Sequence, residues 1–278
     1  MKITPIAAES LGVRSMALIV STPDVTVFID PAAALGPKRY SLEPHPRELQ
    51  ALDQAEQRIS RHLDRCDVVA ITHYHYDHVA RESSCYDHAT IYAKDIDSHI
   101  NKSQQKRAAT FAGQLDKPPV YCDGRTFSHG DTTLRFSPPM PHGPPETRLG
   151  YVTMLTVEAE GRRLLYTSDV QGPVDGAAAD YIIGEQPDVV AADGPPTYLL
   201  GFRFSHANLE RAEANMCHVM DKTGCQLLLD HHLLREQRYR KHLSRLYDAY
   251  GERIQTYAEH LGMDNRLLEA HRRELWQE

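Results

Sequence analysis

The tightest constraint on this chain lies in eleven consecutive residues. Val68-Val69-Ala70-Ile71 is an apolar run too short for a helix and rich in β-branched residues, so it reads as a buried strand. It stops at Thr72-His73-Tyr74-His75-Tyr76-Asp77-His78, where three histidines and an aspartate fall within six positions. In an extended segment residues i and i+2 point the same way, so His73 and His75 can grip one metal ion. Asp77 and His78 follow where the chain must turn, and they can reach a second ion. Imidazole with carboxylate suits Zn, Mn or Fe, and a histidine-rich set favours zinc.

The pattern around this run alternates strands and helices. Residues 13–20 and 25–29 read as adjacent strands separated by Thr22-Pro23-Asp24, and the second ends at Asp30-Pro31. A proline-marked loop over 31–46 leads to Leu49, Leu52, Ala55, Ile59 and Leu63 at helical spacing. Strand signals recur at 90–93, 120–122, 132–136, 151–158, 163–167, 188–191 and 225–230, with turns at Gly130-Asp131 and Gly161. Helices are predicted over 95–116 and 206–220, with Ser205 as an N-cap, and through a tail from about residue 233. No repeat or long linker divides the chain, so residues 1–278 are expected to form one domain with a helical tail.

Composition narrows the function. The 278 residues are 41% hydrophobic and 25% charged, which excludes disordered, collagen-like and coiled-coil chains. A net charge of −7 argues against a nucleic-acid wrapper. The expected partner is a small-molecule or nucleotide-like substrate. Five cysteines without a C-x-x-C pair are expected to be free thiols in a reducing, cytoplasmic setting. No apolar run approaches the ~18 residues of a membrane span, and the start Met1-Lys2-Ile3-Thr4-Pro5 lacks the apolar stretch of a signal peptide. There is no G-x-S-x-G and no Walker loop, so a serine hydrolase or NTP-driven enzyme is not supported.

Further metal-type residues stand just past strand-like segments: His142 in Pro141-His142-Gly143, Asp169 after Leu164–Ser168, and His231-His232 after Leu227–Asp230. The H-x-H-x-D-H run, these downstream residues in this order and the early Asp30-Pro31 together resemble the metallo-β-lactamase superfamily. The chain is most similar to a family of predicted metal-dependent hydrolases of archaea and bacteria within it. That closer resemblance is carried by Pro37-Lys38-Arg39-Tyr40, Pro44-His45-Pro46, Asn101-Lys102-Ser103-Gln104, Asp193–Tyr198 and Asp230–Arg235. It implies an α+β fold, an αββα sandwich of two β layers flanked by helices. It implies two divalent ions: His73, His75 and His142 on one, Asp77, His78 and one of His231 or His232 on the other, with Asp169 shared. An apolar strand, one small polar residue and then the ligand is the superfamily pattern, which favours His231 and leaves His232 supporting a ligand from behind or facing substrate. Val79-Ala80-Arg81 departs from it, since a small-residue pair is usual there.

Other positions are weaker candidates. His206 opens a helix and could act as a general acid; an ordinary first helical residue is the plainer reading. Asp193 ends an apolar segment and could serve catalysis by orienting a histidine, or simply form the turn before Gly194. Tyr198, Arg39 and Arg107 could bind substrate, the last beside Lys102 and Lys106 in a phosphate-binding lid. His129 is the rival of His142, disfavoured because it precedes a strand. The expected reaction is hydrolysis by water activated between two cations, with Asp77 orienting it. A phosphodiester is preferred over a lactone or thioester. A non-enzymatic metal-binding module is the other class, and a redox diiron protein is disfavoured by His75.

Overall fold

The computed structural model describes residues 1–278. The first half builds a six-stranded sheet from β1 (Lys2–Pro5), β2 (Leu18–Ser21), β3 (Thr26–Ile29), β4 (Val68–Ile71), β5 (Thr90–Ala93) and β6 (Val120–Tyr121), in sequential order. β1–β3 are antiparallel, whereas β3–β6 run parallel. The parallel crossovers carry α1 (Pro46–Leu63) and α2 (Lys102–Gly113). The second half begins with β7 (Thr126–His129) and β8 (Thr132–Phe136). A small hairpin of β9 (Met140–Pro141) and β10 (Tyr151–Val152) follows, then β11 (Leu155–Ala159) and β12 (Arg162–Tyr166). The seven-stranded second sheet is completed by β13 (Val189–Ala192), β14 (Gln226–Leu229) and β15 (Ile254–Gln255), in the order β15-β14-β13-β12-β11-β8-β7. β12 through β15 are parallel, and α3 (Gly176–Glu185) and α4 (His206–Thr223) cross between them.

β4 and β13 are apolar throughout because both their faces are covered. Val27, Ile29, Val68 and Ala70 of the first sheet meet Leu155, Leu164, Tyr166 and Ala191 of the second in one core between the layers. On the other face, Phe28, Val69, Ile71 and Ala93 pack under Ala51, Ala55 and Ile59 of α1 and Phe111 of α2. The second sheet repeats this with Leu165, Val190, Ala192 and Leu229 under Ile182 of α3 and Ala212 and Met216 of α4. Two β layers flanked by helices are therefore the observed architecture. No helix is long and apolar enough to cross a membrane.

Departures from the sequence expectation have local causes. The helix predicted over 95–116 starts only at Lys102: Asn101 caps it by accepting from Gln104 N–H at 2.8 Å, while Lys94 Nζ donates to Ser98 O at 2.9 Å and holds the preceding turn. β2 begins at Leu18 rather than residue 13, because Arg14 bridges to Ala34 and Ser15 Oγ donates to Ala32 O. β7 went unread because an edge strand, Thr126–His129, carries no apolar run. The tail is not one helical layer. It comprises short helices, α5 (Tyr239–His242), α6 (Ser244–Tyr250), α7 (Tyr257–His260) and α8 (Arg272–Leu275), separated by irregular chain and β15. The tail also reaches the first half: Arg272 forms a fork to Glu48 of α1, both contacts 2.8 Å and both side chains fully buried.

Candidate metal centre

Parallel strands align their carboxyl ends, and loops leaving those ends converge on one edge of the sandwich. β3 delivers Asp30 and β4 delivers Thr72–His78; β12 delivers Ser168-Asp169, β13 delivers Asp193, and β14 delivers Asp230–His232. His142 arrives from the β9–β10 hairpin, its N–H donating to Gly150 O at 3.0 Å. Three of these exits are left-handed at non-glycine residues: Asp30 (φ 47°), Ser168 (φ 56°) and His231 (φ 49°). Such conformations cost about 1–3 kcal/mol each and persist where surrounding contacts impose them.

Two groups of donors result. In the first, His73 Nε2 lies 3.1 Å from His75 Nδ1, and His142 Nε2 lies 3.1 Å from Asp169 Oδ2. In the second, His78 Nε2 is 3.3 Å from His231 Nε2 and 3.1 Å from Asp169 Oδ1; Asp77 Oδ2 is 3.7 Å from His231 Nε2. Asp169 thus offers one oxygen to each group. The donor atoms of His73, His75, His142 and Asp169 lie within 4.8 Å of one another, as do those of Asp77, His78 and His231, and those of Asp169, His231 and His232. Both ring nitrogens of His142 and Oδ1 of Asp169 are buried without a hydrogen-bond partner. Buried polar atoms are rarely left so, and imidazole nitrogens turned towards one another lack a reason to converge unless a cation joins them. The residues fit divalent metal, for which imidazole and carboxylate together are the usual donors.

The outward ring nitrogens are anchored. His78 Nδ1 donates to Asp30 Oδ2 at 2.8 Å, and Asp30 also accepts from Thr72 N–H, Thr72 Oγ1 and Tyr166 OH. His231 Nδ1 is 2.9 Å from Glu9 Oε2, and His232 Nδ1 is 2.8 Å from Asp193 Oδ2. These contacts set ring orientation and tautomer. Titration follows the same placement. Burial, with His78 alongside, pushes His73 down to about 4. Burial also lowers His75. At His231 burial pulls downward too, but the Glu9 and Asp169 carboxylates outweigh it and raise the group to about 10. For His78 burial is likewise outweighed, by Asp169 and Asp30. Asp169 is held well below the usual carboxylate range, its burial offset by the surrounding histidines.

The sequence candidates separate in space. His73, His75, Asp77, His78, His142, Asp169 and His231 converge, and His232 joins them, its Nε2 3.6 Å from Asp169 Oδ2, while also bordering a cleft of 1180 Å³. Tyr198 and Arg107 line that cleft. Arg39 does not: its Nη2 donates to Arg235 O at 3.1 Å and its guanidinium stacks on Tyr198, so it stands one layer behind. His206 is a correction. It is exposed at the first position of α4, Ser205 Oγ accepting from Asn208 N–H, and it does not border the cleft. Asp193 is buried, accepts from Gln171 N–H at 2.8 Å and holds His232, so it positions a histidine and does not itself face the cleft. Lys102 and Lys106 are exposed away from the cleft, which removes them from any lid. His129 bonds Tyr92 OH at 3.1 Å, outside both donor groups.

Sequence reasoning missed two residues. Arg235 is buried, with Nε donating to Glu9 Oε1 at 2.6 Å and Nη2 to Asp77 Oδ2 at 3.3 Å. Its signal was the four-residue spacing from His231. Glu9, 222 positions from His231, had no local signal.

The chain was compared with known proteins. A family model described as a beta-lactamase superfamily domain matches residues 27–221. A UPF0282 protein of Methanopyrus kandleri is 44% identical over 291 residues, covering 99% of both chains. In fold, the chain is similar to the metallo-beta-lactamase fold protein YhfI of Bacillus subtilis (TM-score 0.51, 18% identity, 88% of this chain and 91% of that one). It is also similar to an isothiocyanate hydrolase from Delia radicum gut bacteria (TM-score 0.57, 16% identity, 88% and 94%). The convergent strand ends, the paired donor groups and these matches agree: the chain belongs to the beta-lactamase superfamily and, within it, to the UPF0282 family.

Proposed function

We propose that this protein is a dinuclear metal-dependent hydrolase of an anionic substrate, a phosphodiester ahead of a lactone or thioester. The observation that carries this reading is the wall of the cleft. Arg81, Arg107, Arg148 and Arg203 border it without a carboxylate within ion-pair distance, in a chain whose net charge is −7. Unpaired guanidiniums gathered beside a metal centre suit an anion, and phosphate above all, because their planar forks match its oxygens.

His73, His75 and His142 would hold one ion, and Asp77, His78 and His231 the other, with Asp169 shared. When bound, such a pair acidifies water and stabilises charge developing on the attacked group. The chain's own residues do the rest. Arg235 fixes Asp77 Oδ2, which faces the cleft and can orient a nucleophile. His232, held at Nδ1 by Asp193, has its Nε2 3.6 Å from Asp169 Oδ2 and borders the cleft, so it stands beside the metal centre where it can hydrogen-bond the bound group. Arg107, whose Nη1 donates to Tyr74 O, stands on the wall as an anion contact.

The test is hydrolysis of bis(p-nitrophenyl) phosphate with added Zn or Mn, comparing wild type with Asp169→Ala at matched metal. Turnover lost in the variant supports the reading. Two bound ions without turnover would move the substrate to lactones or thioesters, and inertness towards all three classes would leave a metal-binding module.

A further inference from the structure

The cleft has an apolar annex that the reaction as described does not use. A second cavity of 610 Å³ adjoins it, within the ~300–1,000 Å³ range of ligand pockets. Ala34, Leu35, Tyr76 and Arg81 line both spaces, so they form a shared threshold. Beyond that threshold most of the wall is apolar: Leu52, Ile59 and Leu63 come from one face of α1, and Ala32 and Ala33 from the loop after Asp30, with the exposed Glu56, Ser60 and Glu82 completing it. Arg81 is the one basic residue there, its guanidinium 3.9 Å from the Tyr76 ring centroid. Asp77 is the next residue after Tyr76, so the threshold abuts the metal centre. Arg81 is also the residue at which this sequence departs from the superfamily's small pair.

We propose that the substrate is an amphiphile: an anionic ester whose head lies among the cleft arginines and whose apolar substituent passes Tyr76 and Arg81 into the annex beside α1. This rests on the hydrolase reading above. The cleft gathers the arginines, while the adjoining space has mostly apolar side chains and no arginine past the threshold, so a ligand spanning both would have an anionic end and an apolar end. A purely polar substrate would leave the annex facing water, and a purely apolar one would leave the arginines unpaired.

The experiment is calorimetric titration of the metal-loaded protein with methyl, butyl and hexyl phosphate. Burying a methylene is worth roughly a threefold to fourfold gain in affinity, so hexyl phosphate should bind about tenfold more tightly than butyl phosphate. Leu52→Glu and, independently, Ser60→Trp, which fills the annex from its rim, should flatten the series and leave methyl phosphate unchanged. Equal affinities across the series, a slope that survives both substitutions, or no measurable binding of any ester would overturn the proposal. Turnover of p-nitrophenyl hexyl phosphate is followed separately. Chain-length-dependent binding without turnover removes the hydrolase reading and keeps the annex; turnover indifferent to chain length does the reverse.

Discussion

Asp30 is the place to test whether carboxylates behind the histidines control the second ion. Its Oδ1 accepts from Thr72 N–H at 2.8 Å; its Oδ2 accepts from Thr72 Oγ1, Tyr166 OH and His78 Nδ1 at 2.6, 2.9 and 2.8 Å. Asp30→Ala leaves Thr72 N–H, Tyr166 OH and His78 Nδ1 without partners, while Thr72 Oγ1 keeps Ser168 Oγ at 2.6 Å. Three buried orphans at about 1–3 kcal/mol each predict a loss of roughly 3–9 kcal/mol in the metal-free protein. Asp30→Asn is the sharper change. One oxygen becomes a donor, and the hydroxyls can rotate to accept from it. His78 Nδ1 can then only accept, which moves its proton to Nε2, the nitrogen that faces His231 and Asp169. We expect a stability loss of no more than about 1–3 kcal/mol but a 10–100-fold weaker second ion, with the first ion unchanged. Thermal unfolding in chelator and zinc titration against a chromophoric competitor read the two effects separately. An Asp30→Asn protein that binds both ions with wild-type affinity would refute the reasoning.

The second ion should also be sensitive to pH. His231 is raised to about 10 and His78 is raised well above its ordinary value, so both are protonated near pH 7 in the metal-free protein and must release their protons. Raising the pH therefore tightens the second ion, by up to about tenfold per unit for each proton; zinc titrations at pH 6, 7 and 8 check the slope. Arg272→Met strands the buried Glu48 carboxylate and should destabilise the fold by about 3–5 kcal/mol, with part of the loss recovered in the Glu48→Gln, Arg272→Met double variant in denaturant melts. Arg107→Ala and Arg148→Ala should each raise KM for an anionic ester with kcat little changed, and the effect should shrink in salt. His206→Ala should leave kcat/KM within about twofold, because the ring sits in solvent at a capped helix start.

Much of the sandwich was legible because its strands are short, apolar and sharply terminated. β4, β5 and β8 coincide with the predicted segments to the residue. α1 shifts by one position, since Pro46 enters its first turn behind the His45–Glu48 capping box. The donor residues were legible as metal-type residues just past strand ends, while their division into two groups was what the family resemblance implied; parallel strands bring those ends together. What escaped was long-range. Arg235 and Glu9 meet across 226 positions by tertiary packing, and no periodicity marks such a pair. His206 misled because position along the chain was taken for position in space. The tail misled because its polarity suits short capped turns as well as long helices, and ion pairs to distant elements decide the outcome.

The Arg272–Glu48 fork has a bearing on biosynthesis. Glu48 leaves the ribosome early, and its partner follows 224 residues later. Leu268 packs against Gly12, and Arg14, on the cleft wall, is gripped by Glu269 at 2.6 Å. The first sheet therefore stays without these fastenings, and one cleft arginine without its anchor, until residues 268–272 have been translated. A nascent chain stalled short of Leu268 should be open to proteases along α1, and closure of the cleft should wait for that segment rather than follow from the first half alone.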